Sequence, residues 1–165
     1  QFLLQELGLK KILWLNHGAL IGDDTDAHID TLARFCSVDT IAYVKCKDSH
    51  DFHYQTLKRM EDELKEFKNL SGKKYKLVAL PMPDACYDQI GNRLPATYAN
   101  FLLVNDGVLV PSYGVKQDQE ALDNIQNIFP KRKVIGVDCL PLIQQNGSLH
   151  CISMQYPSAV KIMLE

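Results

Sequence analysis

The sequence has little that would commit it to a membrane, a secreted setting or a nucleic acid. Its longest apolar runs are of strand length, and the stretch from Leu3 to Leu15 is broken by Glu6, Lys10 and Lys11, so no segment can cross a bilayer as a helix. A formal net charge of −2 excludes the strong positive field that draws a chain to phosphate backbones or anionic lipid. Neither nucleic acid nor membrane is expected as a partner; small or cationic molecules are. The five cysteines, Cys36, Cys46, Cys86, Cys139 and Cys151, include no CxxC pair, are odd in number, and follow no signal-peptide pattern. They read as reduced thiols of a cytoplasmic protein. Glycine-rich phosphate loops are missing too, since Gly18 and Gly22 stand alone.

What is present fits one domain. The 165 residues are 46% hydrophobic, enough for one core, and no compositional break divides residues 1–165. Phe2, Leu3, Leu4 and Leu7 lie on helical spacing ahead of Gly8 and no initiator Met precedes them, so a fragment or processed product is expected.

From Lys11 the chain alternates strand and helix signals. Strands are predicted at Ile12–Leu15, Leu32–Cys36 and Thr40–Val44, the last two joined by Ser37-Val38-Asp39. Leu57, Met60, Leu64 and Phe67 form a helical stripe with Asp48 or Ser49 available as cap, and Lys76–Leu80 returns as a strand before Pro81 and Pro83. A second set follows. Tyr98–Val104 and Val108–Val110 flank Asn105-Asp106-Gly107, a hairpin signal, ahead of a helix with Asp118 as cap and Leu122, Ile125 and Ile128 as its stripe. Lys133–Val137 and Leu149–Met154 complete the predicted strands. Ala33-Arg34-Phe35 and Ala99-Asn100-Phe101 open the two sets at an offset of 99 − 33 = 66 residues, which predicts a repeated module.

Reactive groups concentrate in Gly22-Asp23-Asp24-Thr25-Asp26-Ala27-His28-Ile29-Asp30, four carboxylates and an imidazole in nine residues. Such a crowd caps backbone, binds a cation or holds a cationic substrate. His28 and Asp30, two apart, would share a side on extended chain and could act as proton shuttle and substrate clamp. Cys151 follows His150 directly and is a candidate thiol nucleophile; a buried core cysteine is the alternative. A metal held by His28, Asp30, His150 and Cys151 is a further alternative, although the spacings match no familiar zinc pattern. His17, His50 and His53 read as solvated.

The nine-residue acidic stretch resembles the GDDTDGHxD motif of the agmatine deiminases and bacterial-type peptidylarginine deiminases. Leu94-Pro95-Ala96-Thr97-Tyr98-Ala99-Asn100-Phe101 resembles the family's LPxSYxNF segment, Val108–Tyr113 and Phe129-Pro130-Lys131-Arg132 are similar to family segments, and Asn146–Ser153 is similar to GxxHCIT around the catalytic cysteine. The resemblance implies a pentein fold, a five-bladed α/β propeller of ββαβ-like modules, of which 165 residues would be about half, the C-terminal half; the N-terminal half of the same polypeptide is then an expected partner, and a homodimer an expected assembly. It implies Cys151 as nucleophile, His28 as acid and base, and Asp30 as guanidinium clamp, with Asp24 and Asn100 near the substrate. No cofactor and no metal enter that chemistry. The implied reaction is hydrolysis of a guanidine through an amidino-cysteine intermediate, with agmatine giving N-carbamoylputrescine and ammonia; alternatives are peptidyl- or free-arginine deimination, or an inactive half-chain acting as a scaffold. Ala27 stands where the family has Gly, Gln144-Gln145-Asn146 replaces a Gly-rich stretch, and the WxRDxGP motif has no counterpart, which leaves the substrate open.

Overall fold

The computed structural model describes residues 2–23, 27–156 and 160. A short helix α1 (Phe2–Glu6) leads into an extended segment, and two modules of the same topology follow. In the first, β1 (Ala33–Phe35) and β2 (Thr40–Lys45) form an antiparallel hairpin, α2 (Tyr54–Glu66) crosses over, and β3 (Lys76–Pro81) returns parallel to β2. The second repeats this with β4 (Leu102–Val104), β5 (Gly107–Ser112), α3 (Gln117–Ile128) and β6 (Lys133–Asp138), after which comes a one-turn helix α4 (Leu140–Ile143). Parallel neighbours need a crossover, and the helical stripes supply it.

Sequence accounts for each element locally. Leu57, Met60 and Leu64 are buried on one face of α2 while Lys58 and Asp62 pair at 2.7 Å on its solvent side. Ser37 Oγ donates to Asp39 Oδ1 at 2.6 Å and closes the first hairpin. Strand β2 is buried on both faces: Ile41 and Tyr43 pack with α2, whereas Ala42 turns to the second module. Helix α3 lies on β3 as well as on its own β6, with Asn124 Nδ2 donating to the Ala79 carbonyl at 3.2 Å, so one helix ties the modules together.

Several expectations are corrected. Ile12–Leu15 is not a strand but irregular extended chain, and just after it Glu63 of α2 accepts from the Asn16 and His17 backbone N–H groups at 2.9 and 3.3 Å. Neither Asp48 nor Ser49 caps α2, which begins after His53. Asp118 lies inside the first turn of α3 and turns back to accept from the N–H groups of Tyr113, Gly114 and Val115. Tyr98–Val104 divides into a 3-10 turn over Tyr98–Asn100 and strand β4. Leu149–Met154 forms turns, in which Ser153 donates twice to the His150 carbonyl. The repeat is real but its triplets are out of register: Ala33 begins β1, whereas Ala99 sits in the turn before β4, so the turn over Ile29–Thr31 corresponds to Tyr98–Asn100.

Candidate active site

The two 3-10 turns meet at the junction of the modules, where Thr97 Oγ1 donates to the Thr31 carbonyl at 2.7 Å. The first turn carries Asp30 and the second Asn100, so their side chains converge: Asn100 Nδ2 donates to Asp30 Oδ2 at 3.0 Å. The turn over residues 149–152 closes on the same spot. Asn100 Oδ1 accepts from the His150 N–H at 2.7 Å and, longer, from the Cys151 N–H at 3.4 Å, while Nδ2 lies 3.4 Å from Cys151 Sγ. His150 Nδ1 stands 2.6 Å from Asp30 Oδ2.

Local chemistry shapes that last turn. Asn146 has φ +63° and Gly147 follows it; a Cβ on Gly147 would lie 3.2 Å from the Cys151 Cβ. Buried Ser148 is within 3.3 Å of the Tyr113 hydroxyl, which also accepts from the Thr97 N–H at 3.0 Å and donates to the Thr97 carbonyl at 2.9 Å. One phenol therefore welds the Asn100 turn to the Cys151 turn. Burial pushes the Tyr113 phenol far above its ordinary value, so this anchoring hydroxyl stays protonated.

Charge is arranged around this cluster. Arg34 of β1 is half-buried, donates to the Phe101 carbonyl at 2.9 Å and lies over the Phe101 ring at 5.0 Å. Burial pulls its guanidinium below the usual arginine range, against the fields of Asp30, Cys36 and Cys151. Among the cysteines, burial raises the thiol pKa of Cys36, Cys46, Cys86 and Cys139, which keeps them neutral and inert. Cys151 is exposed.

Of the residues predicted from sequence, the structure brings Asp30, Asn100 and Cys151 together. His28 lies just before the Ile29–Thr31 turn, exposed, with its carbonyl accepting from Thr31. Asp24 and Asp26 fall outside the described residues; Asp23 accepts from the Thr31 hydroxyl at 2.8 Å. Among the described residues no three His, Cys, Asp or Glu gather as metal ligands.

Two contributors were not legible in sequence. His150 is a partner of Asp30 at 2.6 Å, whereas the sequence suggested it only as the neighbour of Cys151 or as a metal ligand. His53, expected in solvent, is fully buried: its Nδ1 is 2.7 Å from Asp51, its Nε2 accepts from the Ile21 N–H at 2.8 Å, and Arg93 holds the other Asp51 oxygen at 2.8 Å. Burial works against the Asp51 charge, but the bonds from Arg93 and His53 outweigh it and bring its pKa down to about 2. This trio pins the base of the acidic loop, where Gly22 has φ +82° and so little room that a Cβ would come 2.5 Å from the Arg93 carbonyl oxygen.

Known proteins share this arrangement of chain. A family model described as Porphyromonas-type peptidyl-arginine deiminase matches residues 1–157. A solved Porphyromonas gingivalis protein, provisionally titled an arginine deiminase, superposes with a TM-score of 0.92 at 56% identity over 94% of this chain and 46% of its own. A C. jejuni agmatine deiminase solved with substrate bound gives 0.83 at 44% identity, over 90% and 43%. A Legionella pneumophila protein, provisionally named an agmatine deiminase, is 34% identical over 163 residues, 98% of this chain and 46% of its own length. The chain thus spans about half the length of the curated relatives it matches.

Proposed function

The chain belongs to the Porphyromonas-type peptidyl-arginine deiminase family, and on that premise we propose that it supplies the nucleophile, the acid–base group and a substrate clamp of a guanidine hydrolase. Its two modules are those of the pentein-type α/β propeller of the solved deiminases. The observation that carries the reading is the convergence of Asp30, Asn100, His150 and Cys151 from segments up to 120 residues apart.

Cys151 attacks the guanidinium carbon as thiolate and forms a C–S bond, giving a tetrahedral intermediate. Collapse of that intermediate breaks a terminal C–N bond, and ammonia leaves with a proton from His28. His28 then takes a proton from the water that attacks the amidino-thioether, the C–S bond breaks, and the thiolate returns. Guanidinium and water give a ureido product and ammonium, so atoms and charge balance. Asp30 fixes the carbon for attack: Oδ2 is held by His150 and Asn100, and among the described residues Oδ1 has no partner, which leaves it to a substrate N–H. Asp24 is assigned a second contact with the cation. Agmatine is the proposed substrate, after the names of the C. jejuni and Legionella relatives; arginine, free or in a peptide, is the second reading, after the family description and the P. gingivalis relative.

The test is ammonia release by the full-length protein from agmatine, free arginine and an arginine peptide. Turnover of one of the three, abolished by Cys151→Ala, is expected; no turnover of any, or turnover that survives Cys151→Ala, overturns the proposal.

A further inference from the structure

Asn100 is fully buried, yet its side-chain amide faces the most exposed cysteine of the chain. Its orientation is decided by its partners. The His150 and Cys151 backbone N–H groups both point at one end of the amide, and N–H groups require an acceptor, so that end is Oδ1. The opposite end must then be Nδ2, and its two N–H bonds point at Asp30 Oδ2, 3.0 Å away, and Cys151 Sγ, 3.4 Å away. Flipping the amide would set N–H against N–H at one end and oxygen against a carboxylate at the other.

We propose that Asn100 is a catalytic residue that stabilises the Cys151 thiolate by hydrogen bonding, and does not itself contact the substrate. The inference rests on the reading of Cys151 as nucleophile. A neutral thiol has little use for this geometry, because the contact from Sγ to Oδ1 is 3.6 Å and an S–H donor is weak. A thiolate accepts from Nδ2 directly, and a hydrogen bond to an ionised acceptor is roughly twice as strong as a neutral one. The same amide fixes where the sulfur sits, since Oδ1 holds the turn backbone that carries it. Donor and anchor are one rigid planar group. Its place in the fold supports this role: Thr97 and Tyr113 lock the backbone of the 3-10 turn that presents Asn100, while Asp30 and the His150 N–H hold the two ends of its amide.

The test reads the sulfur without any guanidine. The rate of alkylation of Cys151 by iodoacetamide at neutral pH is followed on the peptide that contains it, in the full-length protein and its Asn100→Ala and Asn100→Asp variants. Loss of the donor lowers the thiolate fraction, and the greater nucleophilicity of the thiolate that remains offsets part of this, so the reaction is expected to slow about three- to tenfold, and Asn100→Asp, which sets a carboxylate against the sulfur at nearly constant shape, is expected to slow it more. Equal rates in folded variants overturn the proposal. Should the variants unfold, side-chain amide resonances of Asn100 in the native protein decide: they shift between free and alkylated Cys151 if the contact exists, and an unmoved pair of resonances rejects it. Normal alkylation in a protein that hydrolyses no guanidine would sink the hydrolase reading and leave this one standing; full turnover in Asn100→Ala does the reverse.

Discussion

His150 Nδ1 lies 2.6 Å from Asp30 Oδ2, a contact across 120 residues that joins the end of the second module to the start of the first. It fixes which oxygen of Asp30 is already occupied when a substrate arrives. His150→Ala is expected to let the carboxylate rotate, raising KM for the guanidine about tenfold with a smaller effect on kcat. Steady-state kinetics on the full-length protein checks this, and an unchanged KM would count against the orienting role.

Tyr113→Phe removes the hydroxyl shared by Thr97 and Ser148 and leaves a buried Thr97 N–H without its acceptor. A cost of about 1–3 kcal/mol in denaturant unfolding is expected. The Cys151 turn loses an anchor as well, so alkylation of Cys151 should become less selective over the other cysteines.

Gly22→Ala places a methyl group 2.5 Å from the Arg93 carbonyl at a backbone φ of +82°. The strain is on the order of 1–3 kcal/mol. A lowered Tm together with weaker ammonia release is expected; a variant as stable and active as the parent would show that the acidic loop need not close on Arg93.

His53 gives the pH dependence. Burial lowers its pKa from the ordinary 6.5, against the hydrogen bond to Asp51, so the folded state favours the neutral ring. Its stabilisation is therefore complete above about pH 6.5 and falls as acid protonates the unfolded chain first. Protonation would also aim an Nε2–H at the Ile21 N–H, donor against donor. Unfolding free energy should fall by at most about 1.4 kcal/mol per pH unit below 6.5 from this group. Asp51 stays ionised through that window beside Arg93. Tm measured against pH should lose part of its acid slope in His53→Gln, which retains an acceptor for Ile21; an identical slope would rule His53 out.

Much of the module could be read directly. The α2 stripe, both hairpins and the Asp-Gly turn sit where periodicity and turn chemistry place them, because each depends on residues within a few positions of one another. The errors share a cause. Ile12–Leu15 and Leu149–Met154 have strand-like composition, but a strand exists only where a neighbouring strand pairs with it; the first segment pairs with none of the described strands, and the second is closed by local turn bonds. His53 looked like a loop residue, and its burial depends on Ile21 and Arg93, which are 32 and 40 or more positions away.

The amino-acid sequence by itself determined the kinds of groups available: a cysteine directly after a histidine, a carboxylate-rich loop, an asparagine after a Tyr-Ala pair, and a module used twice. It also determined their local frames, since Asn146-Gly147 and Gly22 set the turns that carry them. Only the tertiary structure decided their partners. Asn100 faces Cys151 and Asp30, and His150 takes Asp30, because α3 packs on β3 and brings the two 3-10 turns together. Such contacts span 51 to 120 residues, and no local pattern encodes them; they follow from burying two apolar sheet faces against one shared helix.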